Sequence, residues 1–301
     1  MTALRKPPQT LKGVRVLSLA LNLPGPAALM RCQQMGASCV KLEPPAPVGA
    51  PAGSSGDPMA WYKRGAYDEL HQGVRVATAD LKSEKGQKAL HRELAKAHVL
   101  LTSFRPSALR KLGLDWKDLH QRYPGLSVVA IVGAPGARAE EPGHDLTYLA
   151  DNGLVNGLEL PPTLYADMGG SLIASEAVLQ ATLLQARKGQ GHYFEVALSD
   201  AAAYLALPRH WGLTVPGAAV GGGHAGYRVY PCKDGRVAVA ALEPHFAKSL
   251  CLAAGLSDAG TAAMMNPATH AAIARYLLSQ TRKALDKLAL EKDIPLHTLG
   301  K

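Results

Sequence analysis

The chain has 301 residues, enough for one large domain or two ordinary ones. Its 47% hydrophobic and 19% charged residues exclude a disordered chain, and only 5% are aromatic, so little surface is available for stacking bases. The formal charge of +9 invites an anionic partner, but the cations are scattered in pairs such as Lys63-Arg64, Arg110-Lys111 and Arg187-Lys188. Without a basic run, zinc-finger spacing or aromatic-basic RNA motif, nucleic acid is set aside in favour of a small polyanion such as a phosphorylated cofactor.

Along the chain, Gly13 to Leu19 alternates and reads as a strand, broken by Leu23-Pro24-Gly25-Pro26. Ala27 to Met35 reads as a helix closed by Gly36, and Ser38 to Leu42 as a second strand. This β-α-β start predicts a parallel sheet with crossover helices. The intervening LNLPGP is not the Gly-rich dinucleotide fingerprint. Glu43 to Asp57 has the composition of a flexible surface loop. Val74 to Asp80 is the next strand. A helix entered at Ser83 runs to Ala97, followed by a strand at Val99 to Thr102, short helices at Pro106 to Leu112 and Trp116 to Tyr123, and a buried strand at Leu126 to Val132.

The stretch from Glu140 to Ser175 carries the strongest chemical signal. Gly143-His144-Asp145 comes first, and Asp167 stands ahead of Gly169, Gly170 and a helical pattern ending near Gly189. A His in a Gly-flanked turn and an Asp at a helix entrance suit an acid–base or nucleophile pair. An Asp in that place is also the ordinary N-cap. His192 to Leu198 is a strand and Ser199 to Leu207 a helix capped by Ser199. A Gly- and Pro-rich linker follows at 208–226, then a hairpin from Tyr227 to Leu242 and helices at Pro244 to Ala254 and Pro267 to Leu290. The expected domains are therefore a large domain at 1–207 and a small α+β domain at 227–290, with 291–301 starting a return linker.

Cys32, Cys39, Cys232 and Cys251 form no C-x-x-C pair, and MTALRKPPQT lacks an apolar signal core. The reading is a reduced, cytoplasmic chain with buried thiols and no membrane span.

The segments GVRVLSLALNLPGPAALMRCQQMGASCVKLEPP, TADLKSEKGQKAL, SFRPSALRKLGL, GHDLTYL, ADMGGSL, GQG and YRVYPCKDGRVAVAALEPHF occur in this order over nearly the whole chain. Together they resemble the family III CoA-transferases, a group that includes formyl-CoA and carnitine-CoA transferases and α-methylacyl-CoA racemase. The resemblance implies a CoA-binding parallel α/β large domain, a small domain, an interlocked homodimer and no metal. It implies that Asp167 is the catalytic carboxylate, which in transferases carries the acyl group and then CoA. In racemase-like members a His in G-H-D shares α-proton exchange with this Asp, and a Glu in E-P-x-F supports the His. Those positions are His144 and Glu243. It further implies CoA along Leu23, Pro24, Ala79, Ser103, Phe104, Arg105 and Lys111. Read alone, Arg105 and Lys111 are also ordinary helix-end charges.

Backbone N–H groups at the start of the helix after Asp167 are suited to an oxyanion, and Gly169 and Gly170 to close approach of a thioester. His144 turns the expectation toward a racemase acting on 2-methylacyl-CoA thioesters. The alternatives are a CoA-transferase with Asp167 as nucleophile and a shortened, non-catalytic acyl-CoA-binding protein. The sequence departs from the family at Ser18, where an acidic residue is usual, at Tyr67 to Gly73, in a compressed passage from Asn156 to Pro162, and beyond Leu296, where the family's return to the large domain is expected.

Overall fold

The computed structural model describes residues 8–50, 54–257 and 260–300, with backbone alone at 260 and 261. The start of the chain that was read for a leader, 1–7, and part of the expected surface loop, 51–53, lie outside the described residues. The chain divides into two compact units, 1–206 and 207–301.

The first unit is an α/β fold built on six parallel strands: β1 (Arg15–Ser18), β2 (Ser38–Glu43), β3 (Arg75–Thr78), β4 (Val99–Thr102), β5 (Ser127–Val132) and β6 (Tyr193–Ala197). Their spatial order is β3-β2-β1-β4-β5-β6. The helices are α1 (Pro24–Gln34), α2 (Met59–Tyr62), α3 (Arg64–Leu70), α4 (Glu84–Leu94), α5 (Pro106–Lys111), α6 (Trp116–Arg122), α7 (Asp145–Asp151), α8 (Tyr165–Lys188) and α9 (Leu198–Leu205).

Helices cover both faces of the sheet, which is why β4 and β5 read as unbroken apolar runs and are buried throughout. Successive residues of one strand enter opposite cores. Val16, Val129 and Ile131 pack with Leu29 of α1 and Ala174, Ala177 and Val178 of α8. Leu17, Val128 and Ala130 pack with Leu90 of α4, Leu109 of α5 and Leu119 of α6.

The second unit contains α10 (Leu207–His210), β7 (Tyr227–Cys232), β8 (Gly235–Ala240), α11 (Pro244–Ala253), α12 (Gly260–Ala263), α13 (Pro267–Ser279), α14 (Arg282–Lys292) and β9 (Leu296–Leu299). Its antiparallel sheet has the order β7-β8-β9. Val237, Val239, Leu250, Ile273, Leu277 and Leu285 form its separate core. All four cysteines are buried, and among the described residues no helix is long and apolar enough to cross a membrane.

Several boundaries differ from the sequence expectation. Helix α1 begins at Pro24, because proline suits a first turn whose N–H groups lack partners anyway. Helix α8 begins at Tyr165, so Asp167 lies inside its first turn rather than capping it, and Gly169 and Gly170 are helical. Ala197, not Ser199, caps α9. The expected long helix from Pro267 is two, since Thr281 accepts from Ala284 N–H and starts α14. Leu296–Leu299 pairs with β8 instead of leaving as a linker. Asp57, expected on a surface loop, is fully buried.

At Gly191 an added Cβ would lie 1.9 Å from the carbonyl oxygen of Leu126, a backbone atom that cannot yield. Gly191→Ala is expected to cost about 2–3 kcal/mol. At Gly189, which caps α8 with φ +71° and open space around it, alanine is expected to cost only about 1 kcal/mol. Urea unfolding of both variants checks the difference.

Candidate active site

Reversal of strand order at β1 and β4 opens a crevice at their carboxyl ends, the usual ligand position in open α/β sheets. Its floor is the loop after β1. Pro24 and Pro26 lack N–H donors, so α1 cannot cradle a pyrophosphate as a Gly-rich turn does. At Gly25 an added Cβ would fall 2.1 Å from that of Ala20, so glycine is what lets α1 approach the strand. Ser18, buried where an acidic residue was expected, accepts from Ala20 N–H at 3.2 Å and shapes the same turn.

A cavity of about 300 Å³ lies in this crevice, with Pro24, Ser103, Arg105, Gly143, His144 and Tyr148 in its walls. A second cavity of about 550 Å³ is lined by Leu42, Leu81, Lys82, Ala108 and Lys111. Phe104 borders both. The expected residues after β1 and β4 therefore gather around two adjoining hollows. Leu23 and Ala79 line neither; Ala79 is buried, and its N–H donates to Glu43 O at 2.8 Å.

His144 caps α7 through its backbone. Its N–H donates to Thr147 Oγ1 at 3.1 Å, and the Thr147 hydroxyl returns a bond to His144 O at 2.7 Å. The imidazole stays exposed on the cavity wall. Asp145 is buried, and its Oδ1 accepts from Asp167 N–H at 3.0 Å. That bond ties the start of α8 to the start of α7 and brings together residues 22 positions apart. Burial, reinforced by the Asp145 charge and opposed by His144, pushes the Asp167 carboxyl up to about 6.

Tyr148 was not singled out in the sequence, although it lies one helical turn beyond His144 in GHDLTYL. Its ring is buried, and burial and Asp167 push its phenol up while Arg105 pulls it down. A Cβ on Gly133 would lie 2.3 Å from the Tyr148 hydroxyl oxygen, and one on Gly143 2.6 Å. The glycine of G-H-D thus makes room for this tyrosine. Tyr62 is a second neighbour that the sequence did not reveal, with a phenol raised by burial, Asp57 and Asp167. Gly169 and Gly170 face α9, where added Cβ atoms would lie 3.2 Å from Leu205 Cδ1 and 2.3 Å from Leu198 Cδ2. Their missing side chains serve helix packing. Glu243 belongs to the second unit, exposed at the N-cap of α11.

The sequence pattern of CoA-transferase family III matches residues 11–300. The chain belongs to this family. Among curated CoA-transferase family III relatives, the cinnamoyl-CoA:phenyllactate CoA-transferase of Clostridium sporogenes is 35% identical over 206 residues, 64% of this chain and 50% of that protein. The α-methylacyl-CoA racemase of Mus musculus is 30% identical over 282 residues, covering 86% of this chain and 68% of the racemase. The crystal structure of hypothetical protein Rv3272 from Mycobacterium tuberculosis superposes with a TM-score of 0.81 at 25% identity, over 98% of this chain and 86% of that one. The matches to the first three curated relatives span only about half the length of each.

A carboxyl raised in the folded state favours its protonated form, so Asp167 contributes least strain below pH 4 and costs stability as pH rises through about 6. Asp167→Asn should therefore stabilise the protein at pH 7.5 by on the order of 1–3 kcal/mol. The gain should shrink through pH 6 and vanish below about pH 4, where the unfolded carboxyl is protonated too. Melting of both proteins across pH 3.5–8 tests the sign.

Proposed function

We propose that this chain processes acyl-CoA thioesters, with Asp167 and His144 as paired bases that exchange the α-proton of a 2-methylacyl-CoA. The observation that carries this reading is the Asp145–Asp167 bond, which joins the helix starts bearing the two groups, with His144 on the wall of the small cavity. Apolar walls with Lys82 and Lys111 in the larger cavity suit an adenosine-phosphate tail, and Arg105 lines the smaller cavity next to Phe104, which borders both. CoA enters as part of the substrate, and no metal is assigned a role.

The α-C–H of a thioester is weakly acidic, so a base with a pKa near working pH is effective, and Asp167 at about 6 has that property. One base takes the α-proton, the electron pair moves onto the thioester carbonyl as an enolate, and the other base returns a proton to the opposite face. Activity depending on ionised Asp167 should rise with pH through about 6. Glu243 is assigned an assisting charge role, so Glu243→Gln should act as a milder His144→Ala.

Similarity to a named transferase at 35% identity supports a second reading, in which Asp167 is the nucleophile of CoA transfer between carboxylic acids. Leu172, Leu183, Tyr204 and Leu205 are exposed apolar side chains of the first unit and favour a homodimer. The buried thiols suit a reducing cytoplasm.

Proton NMR of both epimers of a 2-methylacyl-CoA in deuterated buffer separates the readings. Under the paired-base reading, Asp167→Ala and His144→Ala each stop net epimerisation, and each still exchanges deuterium into one epimer. Wild-type protein that moves CoA to a free acid without exchanging any α-proton would replace the racemase reading with the transferase.

A further inference from the structure

Four titratable residues that this reaction does not use are buried together beneath the loop after β1. Lys41 and Asp57 are 0% exposed, Glu43 1% and His71 8%. Lys41 Nζ lies 2.5 Å from Asp57 Oδ2, 2.9 Å from Glu43 Oε1 and 2.8 Å from His71 Nε2. Asp57, Glu43 and His71 each offer a ligand atom within 4.8 Å of the others, the arrangement of a cation site, and the ammonium contacts all three residues. His71 Nδ1 is 2.6 Å from Tyr67 O, which only accepts, so Nδ1 carries the ring proton and Nε2 accepts from Lys41. Tyr67 completes the cluster by donating to Glu43 Oε1 at 2.9 Å.

Asp57 connects this cluster to the crevice. Its carboxylate accepts from Asn22 N–H at 3.1 and 3.3 Å and from Met59 N–H at 2.9 Å. Asn22 is in the left-handed region at φ 62°, a conformation that needs an outside hold. On the other side, Leu21 N–H reaches Ser103 Oγ at 3.4 Å. The loop is thus pinned between the segment after β2 and the one after β4, directly before Pro24 of the small cavity. Tyr62, at the end of α2 just after Asp57, reaches Asn22 Oδ1 at 3.4 Å.

We infer that Lys41 is a built-in cation that fills a three-ligand site and, through Asp57, fixes the Asn22 loop and Tyr62 at the mouth of the active site. Lys41 and Asp57 are positioning residues. The consequence for ligand rests on the acyl-CoA reading; the hold on the loop does not.

The test compares full-length wild type, Asp57→Asn and a control, Leu277→Ala, which weakens the separate core of the second unit. Amide hydrogen exchange of residues 19–24 is measured beside CoA binding. Asp57→Asn should exchange at least tenfold faster there and bind CoA at least tenfold more weakly, and Leu277→Ala should do neither. Lys41→Ala should lose the same protection and regain it with Co²⁺, whose visible absorption reports occupation of the vacated site, while wild type ignores the metal. Folded Asp57→Asn or Lys41→Ala with wild-type exchange at 19–24 overturns the inference. So does failure of both variants to fold with or without Co²⁺, which would make the cluster a folding element only. Wild type that binds no CoA overturns the acyl-CoA reading and leaves exchange to decide the loop.

Discussion

Strands β1 and β4 lie side by side in the sheet, yet the helices that follow them leave on opposite faces. Helix α1 buries Leu29 and Cys32 in one core, and α5 buries Leu109 in the other. No backbone bridges the carboxyl ends of the two strands, so a hollow remains there whatever side chains line it. The candidate site depends on this divergence. Pro24 comes from one side, Ser103 and Arg105 from the other, and the segment after β5 closes the third wall with His144.

Within that hollow the site is held by few but well-placed polar bonds. Asp145 is buried next to Asp167, although its charge adds to the cost of ionising the Asp167 carboxyl. Asp145 offsets part of this by accepting the Asp167 backbone N–H, one of the donors that a first helical turn leaves unpaired. Burial raises the Asp167 carboxyl toward neutrality, and the Asp145 charge held beside it adds to the rise. The Lys41 cluster follows a related logic. A buried ammonium is tolerated because two carboxylates and an imidazole surround it, and one of those carboxylates continues to the active-site loop.

The glycines illustrate how motif and role separate. Gly143 stands in G-H-D and makes room for the Tyr148 hydroxyl. Gly169 and Gly170 follow Asp167 and let α9 approach α8. In each case the close neighbour is a side chain outside that motif core. Position in a motif located these residues; only the packing explains them.

Much of the fold was legible from the chain alone. Unbroken apolar runs such as SVVAIV, the β-α-β opening and the helix-entry signal at Ser83 follow from local rules: burial on both faces, crossover connection and N-capping. The motif residues His144 and Asp167 were also visible there, because spacing and residue type survive in one dimension. What required the tertiary structure is the set of contacts made across sequence distance. Asp57 sits in a stretch whose composition reads as loop, yet it is buried because Lys41, 16 positions earlier, needs a counter-charge. Tyr148 and Tyr62 carry no signal beyond being aromatic until the fold places them near Asp167. Leu296–Leu299 becomes a strand only because β8 offers it an edge. Periodicity and capping are properties of neighbours along the chain, whereas charge pairing, burial and edge pairing depend on which distant segments the fold brings together.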